Sequence, residues 1–134
     1  PCALLLLDVD NLKKINDSFG HPAGDLVICH VASALMQHLR DNDTAARLGG
    51  EEFALLLAGA DSAKALIVAE RLRRTVASEL VDEVGTVTIS LGVAACPMHA
   101  ASERELYAAS DAALYRAKRD GKNRATIAES INTP

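Results

Sequence analysis

The chain has no excess of positive charge: 14 Lys and Arg stand against 18 Asp and Glu, for a formal net charge of −4. That removes the footprint of general binding to nucleic acid or to an anionic membrane surface, so an anionic partner has to be met locally or through a metal. No apolar stretch is long enough to span a bilayer and the start is unlike a signal peptide. The domain is therefore expected to be cytoplasmic, with any membrane anchor confined to a parent protein. Cysteine is sparse. Cys2, Cys29 and Cys96 are odd in number, lack metal-ligand spacing and sit among apolar neighbours, so core thiols in a reducing compartment are expected. Internal repeats, linkers and low-complexity segments are missing too. With 134 residues, residues 1–134 make one domain, with enough chain for a core and no room for a second. Nothing leads into the first strand pattern, since Pro1-Cys2 runs straight into it, and the chain is expected to be an N-terminally truncated piece of a longer protein.

What is there reads as alternating strands and helices. Residues 2 to 9 form a continuous apolar run, suiting a strand covered on both faces. Asn11 to Gly20 carries Leu12, Ile15 and Phe19 at helical spacing, and Pro22 opens a second helix with Ile28, Ala32, Leu35 and Leu39 on one stripe. Thr44 to Leu48 and Glu51 to Ala58 flank a diglycine and read as a hairpin. Asp61 caps a helix with apolar positions Leu66, Ala69, Leu72, Val76 and Leu80. From Thr86 to Val93 the pattern alternates strictly, predicting a strand with one buried face. Ser102-Glu103-Arg104-Glu105 is a capping box for a helix running to Arg119 and ending at Gly121, and a short strand follows over Arg124 to Ala128. The order β-α-α-β-β-α-β-α-β predicts an α+β fold, a mainly antiparallel central sheet flanked by helices.

Two acidic knots point to chemistry. In Gly49-Gly50-Glu51-Glu52-Phe53, two carboxylates directly follow a diglycine turn, whose backbone can take positive φ and admit a bulky anion. In Leu5-Leu6-Leu7-Asp8-Val9-Asp10, an apolar run ends abruptly in carboxylates. Side by side, two such strand ends would make a site for a hard dication bridging to phosphate. Taken singly, an acidic strand end is usually a solvated terminus and a diglycine a plain turn. Their joint occurrence carries the reading.

The blocks that contain and accompany them are Asp8-Val9-Asp10-Asn11-Leu12-Lys13-Lys14-Ile15-Asn16-Asp17, Gly20-His21-Pro22-Ala23-Gly24-Asp25, Arg47-Leu48-Gly49-Gly50-Glu51-Glu52-Phe53, Val87-Thr88-Ile89-Ser90-Leu91-Gly92-Val93, and Ala113-Leu114-Tyr115-Arg116-Ala117-Lys118 with Gly121-Lys122-Asn123-Arg124. In this order, and over nearly the whole chain, they resemble the GGDEF family in its GGEEF variant. These are the bacterial diguanylate cyclase domains, which join two GTP into cyclic di-GMP and are built like a polymerase or nucleotide cyclase palm.

The resemblance implies a set of roles. The Asp8 carboxylate, the Val9 carbonyl and Glu51 would ligate Mg²⁺, with Glu52 beside them for the second of two ions, and Mn²⁺ is an alternative metal. Glu51 would draw the proton from the attacking 3′-hydroxyl, and Lys13 would steady charge on the transferred phosphoryl group. Gly49 and Gly50 would line the GTP, Lys118 and Lys122 would hold its distal phosphates, and Asn16 and Asp25 would read guanine. Arg40-Asp41-Asn42-Asp43 fits the family's RxxD inhibitory motif, where Arg40 and Asp43, joined by Arg71, would bind product. Catalysis would need a homodimer, each half-site holding one GTP, and the parent chain would carry a sensor or receiver domain. Leu12 departs from a frequent phenylalanine and Lys122 from a frequent arginine; the second keeps charge but loses the bidentate fork. His21, His30, His38 and His99 lack a partner at ligand spacing and carry no assigned role. The competing function is a catalytically silent module that binds GTP or cyclic di-GMP, disfavoured because Asp8, Glu51 and Glu52 are all present.

Overall fold

A computed structural model describes residues 1–130. The elements run β1 (Cys2–Val9), α1 (Leu12–Phe19), α2 (His21–Gln37), β2 (Thr44–Arg47), β3 (Glu52–Ala58), α3 (Ser62–Ser78), β4 (Ile89–Cys96), α4 (Glu103–Arg119) and β5 (Ala125–Ile127), in the predicted order. They form one five-stranded sheet, β2-β3-β1-β4-β5. All pairs are antiparallel except β4 with β5. The fold is α+β, as its alternation of hairpin and helical crossovers requires.

The central β1 explains its own apolar run. Ala3, Leu5, Leu7 and Val9 join a large core cluster shared with Val27, Val31, Leu72 and Val76 of α2 and α3, while Leu4 packs with Ala94, Leu106 and Ala113 on the α4 side. With helices over both faces, both sets of alternate residues are covered from Leu5 onward, and only Cys2 and Leu4 at the start of the strand are partly exposed.

Three local expectations are corrected. The strand foreseen from Thr86 starts at Ile89 and runs to Cys96, with both faces covered rather than one. Its small and polar alternates point at structure instead of solvent: a Cβ on Gly92 would lie 2.1 Å from the Ser110 carbonyl oxygen and 2.3 Å from the Leu114 nitrogen, so α4 sits directly on the strand. Leu80 falls beyond the end of α3 and is 78 % exposed, the buried stripe there being Ala65, Ala69, Leu72 and Val76. And the cysteines are not core thiols: Cys2 and Cys96 are half-buried and Cys29 is exposed. The predicted caps are present. Asp61 accepts from the Lys64 nitrogen at 2.9 Å, and Ser102 accepts from the Glu105 nitrogen at 3.2 Å. Among the described residues no helix is long and apolar enough to cross a membrane.

Antiparallel pairing places the C-terminal end of β1, the start of β3 and the start of β4 at one end of the sheet. The start of β5, parallel to β4, arrives there too. Strand order thus brings Asp8, Glu52 and Ser90 to one end of the sheet, and the helices that pack beside it carry Lys13, Asp25 and Lys118.

Candidate active site

Asp8, next to last in β1, lies opposite Glu52 of β3 on one side and Ser90 of β4 on the other. The residue is 6 % exposed. One oxygen, Oδ2, accepts from the Lys118 ammonium of α4, an ion pair between residues far apart in sequence. The other, Oδ1, is buried with no hydrogen-bond partner. A carboxylate oxygen stripped of water and left unmatched is strongly unfavourable. A dication on Oδ1 would resolve it, so the residues present fit a hard metal ion. Among the described residues no three acidic, histidine or cysteine side chains already converge in a metal cluster. The donor set is thus one or two carboxylates awaiting further oxygens, which suits Mg²⁺ bound together with phosphate and water.

Glu52 shares its face with Asp8 and meets Tyr107 of α4, whose hydroxyl donates to Oε1 at 3.5 Å. The Glu52 charge, then burial and Asp111, push the Tyr107 phenol above its ordinary pKa. Glu51 is exposed and lines two adjoining cavities. The first, about 460 Å³, also meets Val9, Lys13, Lys118 and Lys122. The second, about 370 Å³, meets Asn16, Asp25, Arg47 and Gly50. The residues assigned to phosphate and those assigned to guanine therefore fall in neighbouring hollows with Glu51 between them. Burial, and next the Lys122 ammonium, lower the pKa of Lys118.

A second orphan belongs to a residue of the second cavity. Asn16 Oδ1 is buried without a hydrogen-bond partner, and Gly24 of α2 lies against it. Asn16, a lining residue of this cavity, thus carries an acceptor that nothing in the protein matches.

The diglycine behaves differently from the expectation. Neither Gly49 nor Gly50 takes positive φ. A Cβ at either would meet nothing within 4 Å, so lack of a side chain there leaves an open approach instead of permitting a special conformation. The turn is held by Arg47, whose guanidinium donates to the Gly49 oxygen at 3.0 Å and the Gly50 oxygen at 2.8 Å. Left-handed backbone appears elsewhere, at Asn11, Lys122 and Asn123. Non-glycine residues in that region are held there by surrounding contacts, and here the Lys122 ammonium donates to Asn11 Oδ1 at 2.8 Å.

Asp10, given no role from sequence, organises this end of the sheet. It is 4 % exposed and accepts from Ser90 Oγ at 2.7 Å, Thr88 Oγ1 at 2.7 Å and the Asn123 nitrogen at 3.0 Å. It thereby ties the loop bearing Lys122 to β1 and β4. The polar positions Thr88 and Ser90, two residues apart on an otherwise apolar strand, were the signal that could have revealed it. Arg47 had a similar signal, lying two residues before the diglycine.

Away from this end, Arg40, Asp43 and Arg71 line one cavity of about 360 Å³ with Ala58, Gly59 and Lys64. Asp43 holds the loop through both oxygens, accepting from the Arg40 nitrogen at 3.0 Å and the Ala58 nitrogen at 3.3 Å.

A protein-family model described as "Diguanylate cyclase, GGDEF domain" matches residues 1–124. The chain belongs to the GGDEF family. This GGDEF domain is 39% identical over 131 residues to Diguanylate cyclase A of Treponema denticola, covering 96% of the chain and 35% of that protein. It matches the GGDEF domain of DgcB from Caulobacter crescentus, solved in complex with c-di-GMP, at a TM-score of 0.89 and 37% identity, covering 96% of this chain and 78% of that one. It matches the active GGEEF domain of a Vibrio cholerae diguanylate cyclase at a TM-score of 0.90 and 33% identity, covering 96% and 83%. The GGDEF domain spans about a third of the length of the curated relatives it matches.

Proposed function

We propose that this domain is a diguanylate cyclase that condenses two GTP into cyclic di-GMP and pyrophosphate across a homodimer, with product inhibition at a separate site. The observation that carries the reading is a pair of buried, unpartnered oxygens: Asp8 Oδ1, on the carboxylate that pairs with Lys118, and Asn16 Oδ1, on a residue that lines a cavity with Asp25 and Glu51. Mg²⁺ or Mn²⁺ held by Asp8, the Val9 carbonyl, Glu51 and Glu52, two ions per half-site, would supply positive charge to draw the phosphate oxygens together and offset charge developing in the transition state. Glu51 takes the proton of the 3′-hydroxyl. That oxygen forms a bond to the α-phosphorus of the GTP on the partner domain, and the bond to the β-phosphate oxygen breaks to release pyrophosphate.

Lys13 donates to the transferred phosphoryl group, while Lys118 and Lys122 hold the distal phosphates. Lys118 shares its ammonium with Asp8, so it also keeps that carboxylate in place. Asn16 and Asp25 read guanine: a carboxylate can accept from both N1–H and the exocyclic amine, a pair of donors that adenine lacks. Gly49 and Gly50 leave room for the nucleotide to approach. Arg40, Asp43 and Arg71, which share one cavity, form the inhibitory product site. The greater length of the relatives agrees with a parent chain that carries a sensor or receiver domain.

The test is mass spectrometry of products after incubating the domain with GTP and Mg²⁺ at concentrations where sedimentation shows dimer. Cyclic di-GMP is the expected product. Bound GTP or bound cyclic di-GMP without turnover would replace this reading with a nucleotide-sensing module.

A further inference from the structure

Cys2 and Cys96, 94 positions apart in sequence, stand directly opposite each other on β1 and β4 at the far end of the sheet from Asp8. The register sends both side chains to one face, and both pack on the same cluster of Ala94, Ala100, Leu106, Ala113 and Ala128 under α4. The Asp10 nitrogen donates to the Thr88 oxygen at 2.9 Å. Even-numbered residues of β1 therefore bond toward β4, which makes Cys2 and Cys96 a hydrogen-bonded pair with Cα atoms about 5.5 Å apart. That lies within the span a disulfide bridges, and closing the bond needs the Cβ atoms to draw together by about 1–2 Å. The pair ends the ladder, where strands shift most easily. Both thiols are half-buried rather than sealed, and Cys96 lines an open cavity of about 580 Å³ with Pro1, Asp61 and Met98.

We propose that Cys2 and Cys96 are a dithiol modification site, which a small disulfide such as oxidised glutathione converts to an intramolecular disulfide. A thiolate of the pair attacks one glutathione sulfur, forming a mixed disulfide and releasing one glutathione thiolate. The second cysteine thiolate then attacks the cysteine sulfur of that mixed disulfide and releases the second glutathione. Two cysteine thiols lose two electrons and two protons, and one oxidised glutathione becomes two reduced ones. Cys29, exposed on α2 with no cysteine opposite, stops at the mixed disulfide. The cross-link closes a long loop of chain, so it raises the unfolding midpoint by about 5–10 °C, and reduced glutathione in excess reverses it.

The experiment treats the 134-residue chain with oxidised glutathione and reads intact mass, unreduced peptide maps and thermal melts. The expected result is a Cys2–Cys96 linked peptide, one glutathione adduct on Cys29 and a higher midpoint. A Cys29→Ser variant should give the same cross-link without the adduct. In Cys96→Ser the adduct should persist on Cys2. Stable glutathione adducts on both Cys2 and Cys96 in the unsubstituted chain, cross-links only between molecules, or no reaction at either residue would each overturn the proposal.

Discussion

Gly24 lies so close to Asn16 that a Cβ on it would stand 1.8 Å from the Asn16 Oδ1. One helix is thus shaped around the side chain of the other, and the contact is with the movable end of Asn16 rather than with backbone. Gly24→Ala should swing Asn16 off its position and lower kcat/KM for GTP by about 10- to 100-fold, the effect of losing one hydrogen bond in a polar recognition site. The melting temperature should change little, since alanine favours the helix. Unchanged kcat/KM would remove Asn16 from base recognition.

Glu51 is exposed and contributes no core packing. Glu51→Ala is expected to reduce cyclic di-GMP formation by at least about 100-fold with an unaltered thermal melt. Substantial turnover by this variant would overturn the assignment of Glu51.

Arg40 lines its own cavity with Asp43 and Arg71, apart from the acidic end of the sheet. Arg40→Ala should leave the initial rate alone and weaken inhibition by added cyclic di-GMP by about tenfold or more, the share of one charged hydrogen bond. Progress curves with and without product decide this, and unaltered inhibition would show the cavity to be unrelated to product.

Gly92 tests the fold. A Cβ there meets the backbone of α4 at Ser110 and Leu114, which cannot move aside as a side chain can. Gly92→Ala should force α4 off the sheet and lower stability by about 3 kcal/mol. Urea denaturation measures it, and a change below about 0.5 kcal/mol, the range of ordinary surface substitutions, would contradict the close packing.

His99 gives the stability a pH dependence. It is 4 % exposed, its Nδ1 accepts from the Ala95 nitrogen at 2.9 Å, and burial lowers its pKa from 6.5. The unfolded chain therefore takes up the proton more readily than the folded one. The stabilisation from neutral His99 is complete above pH 6.5 and is lost as pH falls below that value toward the folded-state pKa. His99→Asn keeps an acceptor for Ala95 but cannot titrate, so the loss of stability between about pH 7.5 and pH 5.5 should be smaller than in the unsubstituted protein. Equal losses in urea melts would exclude His99 as the source.

Much was legible in the sequence because it is encoded locally. The caps Asp61 and Ser102, the stop at Gly121 and the element order follow from residues a few positions apart, and the structure keeps all of them. The family was legible too, from five short blocks in fixed order. The misreading of β4 has a tertiary cause. Strict alternation over Thr86 to Val93 looked like a strand half in water. In the structure, Thr88 and Ser90 serve Asp10 and Gly92 admits α4, so the polar alternates face protein partners remote in sequence.

The sequence by itself determined the order of helices and strands, the apolar character of β1 on both faces and the residue types suited to a metal and a nucleotide, since period, caps and composition are properties of neighbouring residues. Only the tertiary structure decided what meets what. The packing of α4 on the sheet brought Lys118 to Asp8, strand order brought Asn123 to Asp10, register set Cys2 against Cys96, and helix packing laid Gly24 beside Asn16. Each contact joins chain segments whose separation carries no local pattern, and the sheet and the helices across it fix that proximity.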